Sequence, residues 1–276
     1  MSKHTWKKGL WTCLLVTALA LSTAALSGCQ KTGGSGGEQG QALKGAGNSD
    51  KENQVPADPV MLKRSESSLQ TTIKEVDGKE VVTNPEAMTV IVNKQRSLPD
   101  GYEPTDLVEP NVPFSFDGPH EKRHLRKEAA EALENLFAGA KEDGIELRAV
   151  SGYRSYKRQK AIYENNVRTK GEAYASSVSA VPGTSEHQTG LSIDVSSPSV
   201  NNDLEENFGD SREGKWLAEH APDYGFVVRY PKGRDDVTGY VYEPWHIRYI
   251  GADLAKDVAQ SGMTLEEYFD EANIKL

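Results

Sequence analysis

Cysteine is nearly missing from this chain of 276 residues: there are two, Cys13 and Cys29, both within the first 30 positions. Two thiols can form one bridge at most, so a disulfide scaffold is excluded. Basic residues are in deficit, 32 Lys and Arg against 41 Asp and Glu, which gives a formal charge of −9. Without a general positive field to attract a polyphosphate backbone, nucleic acid is not an expected partner. Long apolar runs are scarce as well. There is one, Leu10 to Leu26, whereas a multi-span membrane protein needs several of about 20 residues. The composition also excludes coiled-coil and collagen-like chains, and no internal repeat is visible. The length allows one domain of about 150 to 200 residues with accessory segments, or two small domains.

The single apolar run has the layout of a secretory signal: Lys3, Lys7 and Lys8 precede it, it carries no charge, and small residues end it. A run of about 17 residues could also remain as a membrane anchor. Leu26-Ser27-Gly28-Cys29 resembles a bacterial lipobox, and that resemblance implies cleavage before Cys29 and attachment of a diacylglyceryl group to its sulfur. Loss of residues 1–28 removes three lysines and no acid, moving the charge from −9 to −12. Cys13 leaves with the signal and Cys29 carries lipid, so the folded part has no thiol. Any metal site must then use His and carboxylates. Residues 29–58 are the lipidated Cys and a Gly-rich tether with almost nothing apolar to bury, reaching roughly 30 Å. One lipid group with two acyl chains suffices to hold a domain at a membrane. The expectation is a monomer on the outer face of the cell membrane of a Gram-positive organism.

Residues 59–83 are an extension of open structure, with a hairpin suggested around Val76-Asp77-Gly78-Lys79. The density of apolar residues rises from Asn84, and the main domain is placed at 84–276. Val90-Ile91-Val92 reads as a strand. A helix is expected from Pro119 to Glu142, where Leu125, Ala129, Leu133, Leu136, Phe137 and Ala140 recur at helical spacing. Strands are expected at Ile145 to Ala149, Phe226 to Tyr230 and Gly239 to Ile250. Further helices are expected after Ser155, at Gly214 to His220, and from Asp253 to Ile274 with a capping box at Thr264. The class is α+β: a small antiparallel sheet flanked by helices.

Five histidines follow the signal, and they are not equivalent. His120 and His124 sit four apart among charged residues and read as a solvated face; His220 ends a helix, where the dipole favours it. His187 lies in a turn-rich loop, Pro182-Gly183-Thr184-Ser185-Glu186-His187-Gln188-Thr189-Gly190, that leads into Leu191-Ser192-Ile193-Asp194-Val195. A carboxylate between Ile193 and Val195 needs a partner, which could be a metal ion, an Arg or a nest of backbone amides. His246 is set among apolar and aromatic neighbours in Glu243-Pro244-Trp245-His246-Ile247-Arg248-Tyr249. In a regular strand Glu243 and His246 would point to opposite faces, so Pro244 must bend the strand if both are to serve one cavity. Two imidazoles and a carboxylate make a catalytic zinc set with a position left open; such a metal polarises a carbonyl and acidifies water, and an unligated carboxylate, for which Glu243 is the candidate, takes the proton. Arg154, in Ser151-Gly152-Tyr153-Arg154-Ser155-Tyr156, suits a carboxylate or an oxyanion, with Gln159 one helical turn away; a surface role fits it equally well.

Four motifs in order carry a family resemblance: 151–156 with Gln159, 182–194, Gly225-Phe226-Val227-Val228-Arg229-Tyr230-Pro231, and 243–251. Together they resemble the VanY-type zinc D-alanyl-D-alanine carboxypeptidases over roughly residues 84–262. The resemblance implies the small α+β zinc D,D-peptidase fold shared with the Hedgehog signalling domain, with His187, Asp194 and His246 as Zn²⁺ ligands and Glu243 as general base. It further implies that Arg154, Gln159, Ser185 and Tyr230 line the substrate pocket, with Arg154 near the terminal carboxylate or the oxyanion. The activity implied is removal of the terminal D-Ala from peptidoglycan pentapeptide stems. Two alternatives stand beside it: an L,D-carboxypeptidase that trims tetrapeptide stems, and a non-catalytic wall-binding module that keeps the zinc.

Overall fold

The computed structural model describes residues 58–274; the signal, Cys29 and the tether up to residue 57 lie outside them. In chain order the elements begin with α1 (Pro59–Glu66), β1 (Ile73–Val76), β2 (Lys79–Val82), β3 (Arg96–Ser97), β4 (Leu107–Val108) and β5 (Leu125–Arg126). Next come α2 (Lys127–Glu142), β6 (Arg148–Ser151), α3 (Tyr156–Lys170), α4 (Glu172–Val178) and β7 (Ser192–Ser196). The chain continues through α5 (Arg212–His220), β8 (Phe226–Tyr230), α6 (Asp235–Thr238), β9 (Glu243–Tyr249), α7 (Ala252–Ser261) and α8 (Leu265–Tyr268). The main sheet has the order β6-β7-β9-β8 and is antiparallel throughout, as expected for the class.

Alternation along the two central strands separates chemistry from core. Ile193, Val195 and Ile247 point into a large apolar cluster with Leu133, Leu136 and Phe137 of α2 and Leu217 of α5. Asp194 and His246, paired across β7 and β9, point to the other side. A second cluster joins Val227 and Ile250 to Leu254 and Val258 of α7, Leu265 and Tyr268 of α8, and Ile91.

The extension at 59–83 is ordered. Asp58 caps α1 by accepting from the Val60 amide, with Pro59 opening the helix. The suggested hairpin is present: β1 and β2 pair across Asp77-Gly78, both with positive φ, which the tight two-residue turn requires. Arg64 of α1 donates to the Tyr268 carbonyl, and β2 pairs with β3, so residues 59–83 are tied to the rest of the domain. Among the described residues no helix is long and apolar enough to cross a membrane.

Two expectations are corrected. The helix expected from Pro119 starts at Lys127; before it lie a 3-10 turn, Glu121–Arg123, and strand β5. The His120 ring accepts from the Lys122 amide at the start of that turn, and Arg126 pairs with Leu107, so the backbone is engaged elsewhere. The helical spacing of Leu125 is coincidental; it is buried as a strand residue. Val90-Ile91-Val92 is buried but is not a strand. Its backbone is served by arginines instead of a neighbouring strand: Arg248 donates to the Met88 and Val90 carbonyls and Arg96 to that of Ile91. The capping box at Thr264 is formed as expected.

Candidate active site

Two irregularities in the sheet bring the site together. At the end of β6, Ala149 faces Val195 and Ser151 faces Asp194, so two steps on β6 match one on β7. The bulge turns the chain into Gly152-Tyr153-Arg154 just before α3. On β9 the mismatch is larger: Val228 pairs with Ile247 and Tyr230 with Glu243, so two steps on β8 match four on β9. The extra residues around Pro244 put Glu243 and His246 on one face, with a Glu243 oxygen 3.9 Å from His246 Nδ1. The bend that the sequence required at Pro244 is therefore there.

His187 comes from the 3-10 turn Glu186–Thr189, which ends at Gly190 with φ 67°. A Cβ at Gly190 would lie 2.9 Å from Leu107 Cδ2, so glycine is needed for both backbone and space. The His187 Nδ1–H donates to the Gly152 carbonyl at 2.8 Å, leaving Nε2 facing Asp194 Oδ2 at 3.5 Å. Asp194 Oδ1 lies 3.1 Å from His246 Nδ1. One donor atom from each of His187, Asp194 and His246 falls within 4.8 Å of the others, and all three residues are buried. No other such cluster of three is found among the described residues. The donor set is nitrogen and oxygen, and His187 is fixed by an outer carbonyl, as metal-bound histidines usually are. The residues fit a zinc ion.

Gly152 explains its place in the Ser-Gly-Tyr-Arg motif. A Cβ there would come within 2.6 Å of the His124 carbonyl, and the Gly152 carbonyl is the outer partner of His187. Gly152→Ala is expected to destabilise the protein by about 1–3 kcal/mol and to weaken metal binding together with it. Thermal melting and metal titration of the variant check this; wild-type values in both would contradict the assignment.

A pocket of about 260 Å³ opens over these groups, and Arg154, Gln159, Ser185, His187, Asp194, Tyr230, Glu243 and His246 all line it. Every metal-binding, catalytic and substrate-binding residue expected from the sequence therefore lines one pocket, while Cys29 lies outside the described residues. Gln159 has an additional task. Its Oε1 accepts from Arg154 at 2.9 Å and its Nε2 donates to the Ala180 carbonyl at 2.7 Å, so it braces the guanidinium. Tyr230 packs between Tyr240, ring centroids 4.5 Å apart, and His246, at 5.0 Å.

Sequence reasoning missed roles for Tyr240 and Glu186. Glu186 is buried, and its Oε1 accepts from Arg229 at 2.7 Å and Arg248 at 3.0 Å. A signal existed: two arginines inside apolar strands, at Val228-Arg229-Tyr230 and Ile247-Arg248-Tyr249, need a buried anion. His120 and His124 bond to local backbone, and His220 stacks on Trp216 while bonding to its carbonyl.

Burial sets the protonation states and neighbouring charges correct them. Burial lifts the Glu243 carboxyl to about 7, with His246 opposing the shift and Asp194 adding to it. Burial pushes His187 down to about 3 despite Asp194, keeping the imidazole neutral. His246 is the opposite case: burial lowers it, but the Asp194 and Glu186 carboxylates prevail and raise it to about 9. Burial would raise Glu186, yet the Arg229 and Arg248 guanidiniums hold it well below the usual carboxylate range.

The fold, with a pocket holding a two-histidine, one-carboxylate cluster and an adjacent glutamate, defines a zinc peptidase of the α+β class. The profile of the VanY D-alanyl-D-alanine carboxypeptidases matches residues 122–252. The candidate carboxypeptidase YodJ of Bacillus subtilis (strain 168) is 47% identical over 273 residues, covering 96% of this chain and 98% of that one. Among solved structures, the LdcB LD-carboxypeptidase superposes with a TM-score of 0.71 at 53% identity, over 74% of this chain and 94% of its own. A mutant of the vancomycin-resistance D,D-pentapeptidase VanY in complex with Zn(II) gives 0.55 at 29% identity, over 66% and 99%. The chain belongs to the VanY family of D-alanyl-D-alanine carboxypeptidases. It is a carboxypeptidase acting on peptidoglycan-related peptides, and its cofactor is zinc. The non-catalytic alternative gives way to this assignment.

Proposed function

We propose that this enzyme releases the C-terminal D-Ala of peptidoglycan stem peptides, with His187, Asp194 and His246 holding zinc, Glu243 as general base and Arg154 anchoring the terminal carboxylate. The observation that carries it is the convergence of these five side chains on one pocket. Zinc in such a set supplies Lewis acidity, polarising the scissile carbonyl and acidifying water. The chain's own groups do the rest. Glu243, beside His246 and with a carboxyl poised near neutrality, accepts a proton from the attacking water and hands it to the departing amine. Arg154, braced by Gln159, forks onto the carboxylate of the terminal residue, which makes a free C-terminus a condition of binding. Ser185 and Tyr230 border the bound peptide, and the Tyr230 phenol stays protonated because burial raises it far above its usual range.

The two bond specificities differ in the residue before the terminal D-Ala. The extent of likeness to LdcB, an LD-carboxypeptidase, supports tetrapeptide stems and the L,D bond. The likeness to the D,D-pentapeptidase, at lower identity, supports the pentapeptide expected from the sequence. We take the L,D reading as the conclusion. Purified enzyme offered tetrapeptide and pentapeptide stems side by side is expected to release D-Ala faster from the tetrapeptide. A preference for the pentapeptide reinstates the D,D reading, and release from neither defeats both. We further propose that Cys29 carries the lipid that holds the enzyme outside the membrane, which mass analysis of the membrane-extracted N-terminus tests.

A further inference from the structure

The charge cluster behind His246 is more elaborate than burial of two arginines requires. Arg229 and Arg248, both fully buried, meet at a single oxygen of Glu186, Oε1. Arg229 forks onward to both oxygens of Glu266 on α8, and Arg248 donates to the carbonyls of Met88, Val90 and Tyr249. The guanidiniums are therefore well supplied with acceptors other than Glu186. The second oxygen of Glu186 is the exception in this network. Oε2 is buried without a hydrogen bond and faces His246 Nε2, also buried without one, across 3.5 Å, the outer limit of hydrogen bonding.

On its other edge the His246 ring presents Nδ1 to Asp194 and Glu243. Which nitrogen of an imidazole binds a metal is decided by the hydrogen bond that the other makes. For His187 that partner is the Gly152 carbonyl, on Nδ1. For His246 the geometry leaves the opposite assignment, with a carboxylate as partner on Nε2.

We propose that Glu186 is a positioning residue of the metal site: it accepts from Nε2–H of His246, orients the ring, and so leaves Nδ1 as the metal-binding atom. Arg229 and Glu266 hold Glu186 in place, so α8 is the outer end of a relay, Glu266–Arg229–Glu186–His246, that terminates at the metal. The proposal rests on the reading of His246 as a zinc ligand.

The experiment compares the full chain with Glu186→Gln and His246→Ala, measuring zinc affinity by chelator competition, melting temperature after EDTA treatment, and histidine tautomers by long-range ¹⁵N NMR. Glu186→Gln keeps the shape and an acceptor for the arginines but removes the charge from behind His246. Its zinc affinity is expected to fall about 10- to 100-fold, and metal-free melting to fall as well, because two buried guanidiniums lose an anionic partner. In the zinc-loaded wild type the His246 Nε2 is expected to carry the proton. A Glu186 that served the arginines alone would lower metal-free melting and leave zinc affinity unchanged, which overturns the proposal. Should Glu186→Gln fail to fold, the wild-type spectrum decides, because a protonated His246 Nδ1 overturns it and a protonated Nε2 supports it. If His246→Ala binds zinc as tightly as wild type, the ligand set itself is wrong and both readings fall. Loss of zinc in His246→Ala with full affinity in Glu186→Gln removes this proposal alone.

Discussion

Glu243→Gln is expected to cut kcat by about a hundred- to ten-thousandfold, the usual loss when a positioned acid–base group is removed, with zinc content and melting temperature unchanged. The amide keeps the size of the side chain and its place on the β9 bulge, so only proton transfer is lost. The same residue should set the acid limb of the pH profile. A base works ionised, and burial has raised the Glu243 carboxyl to about 7, so kcat/KM should climb as pH rises towards neutrality. A cation beside it favours the ionised form, which shifts the limb of the zinc-loaded enzyme to lower pH without changing its sign. In Glu243→Gln the limb should vanish. Near-normal turnover by this variant with zinc bound would remove Glu243 from the mechanism.

Asp194→Ala has the second large effect. Asp194 is the carboxylate between the two imidazoles, with an oxygen directed at each. Loss of an outer partner costs about 10- to 100-fold in metal affinity, and loss of a direct ligand should exceed that, taking activity with it. The metal-free site also makes a proton prediction. There the Asp194 and Glu186 carboxylates hold His246 protonated up to about pH 9 against the effect of burial. Zinc can bind Nδ1 only when that proton leaves, so binding at pH 7 should release one proton from His246. The His246 proton alone makes the affinity weaken roughly tenfold per pH unit below about pH 9, and Glu243, whose ionised form the metal also favours, steepens the fall below about pH 7. Calorimetry in buffers of differing ionisation enthalpy counts the protons, and zero release at pH 7 would contradict a protonated His246 in the metal-free site.

The chemistry was more legible in the sequence than the architecture around it. His187 and Asp194 share one loop-and-strand segment, and Glu243 and His246 share another, so the local pattern carried nearly the whole site. Even the bend at Pro244 was demanded by a spacing of three in a strand, and the register shift on β9 supplies it. Glu186 was harder to assign because its partners, Arg229 and Arg248, lie 43 and 62 positions away. Their presence inside apolar strands announced a buried anion but did not say which one. The start of α2 was misplaced because Leu125 satisfies both periods: it fits the helical spacing yet is buried in β5. Val90-Ile91-Val92 looked like a strand because burial and β-branching are what a strand needs. Its carbonyls are taken by Arg248 and Arg96, a tertiary fact that no local window contains.

The turn that leaves β6 is joined to His187 twice: the Gly152 carbonyl accepts a hydrogen bond from the ring Nδ1–H, and the Arg154 amide donates to the His187 carbonyl at 3.1 Å. A metal ligand and the proposed carboxylate anchor are thus fastened to each other through three consecutive residues of backbone. The span from the anchored C-terminus to the bond under attack then becomes a fixed ruler one amino acid long. Stem peptides of any length would be cut at that same distance from their end. Changing the size of the released fragment would require a longer turn between Gly152 and Arg154 more than a wider pocket.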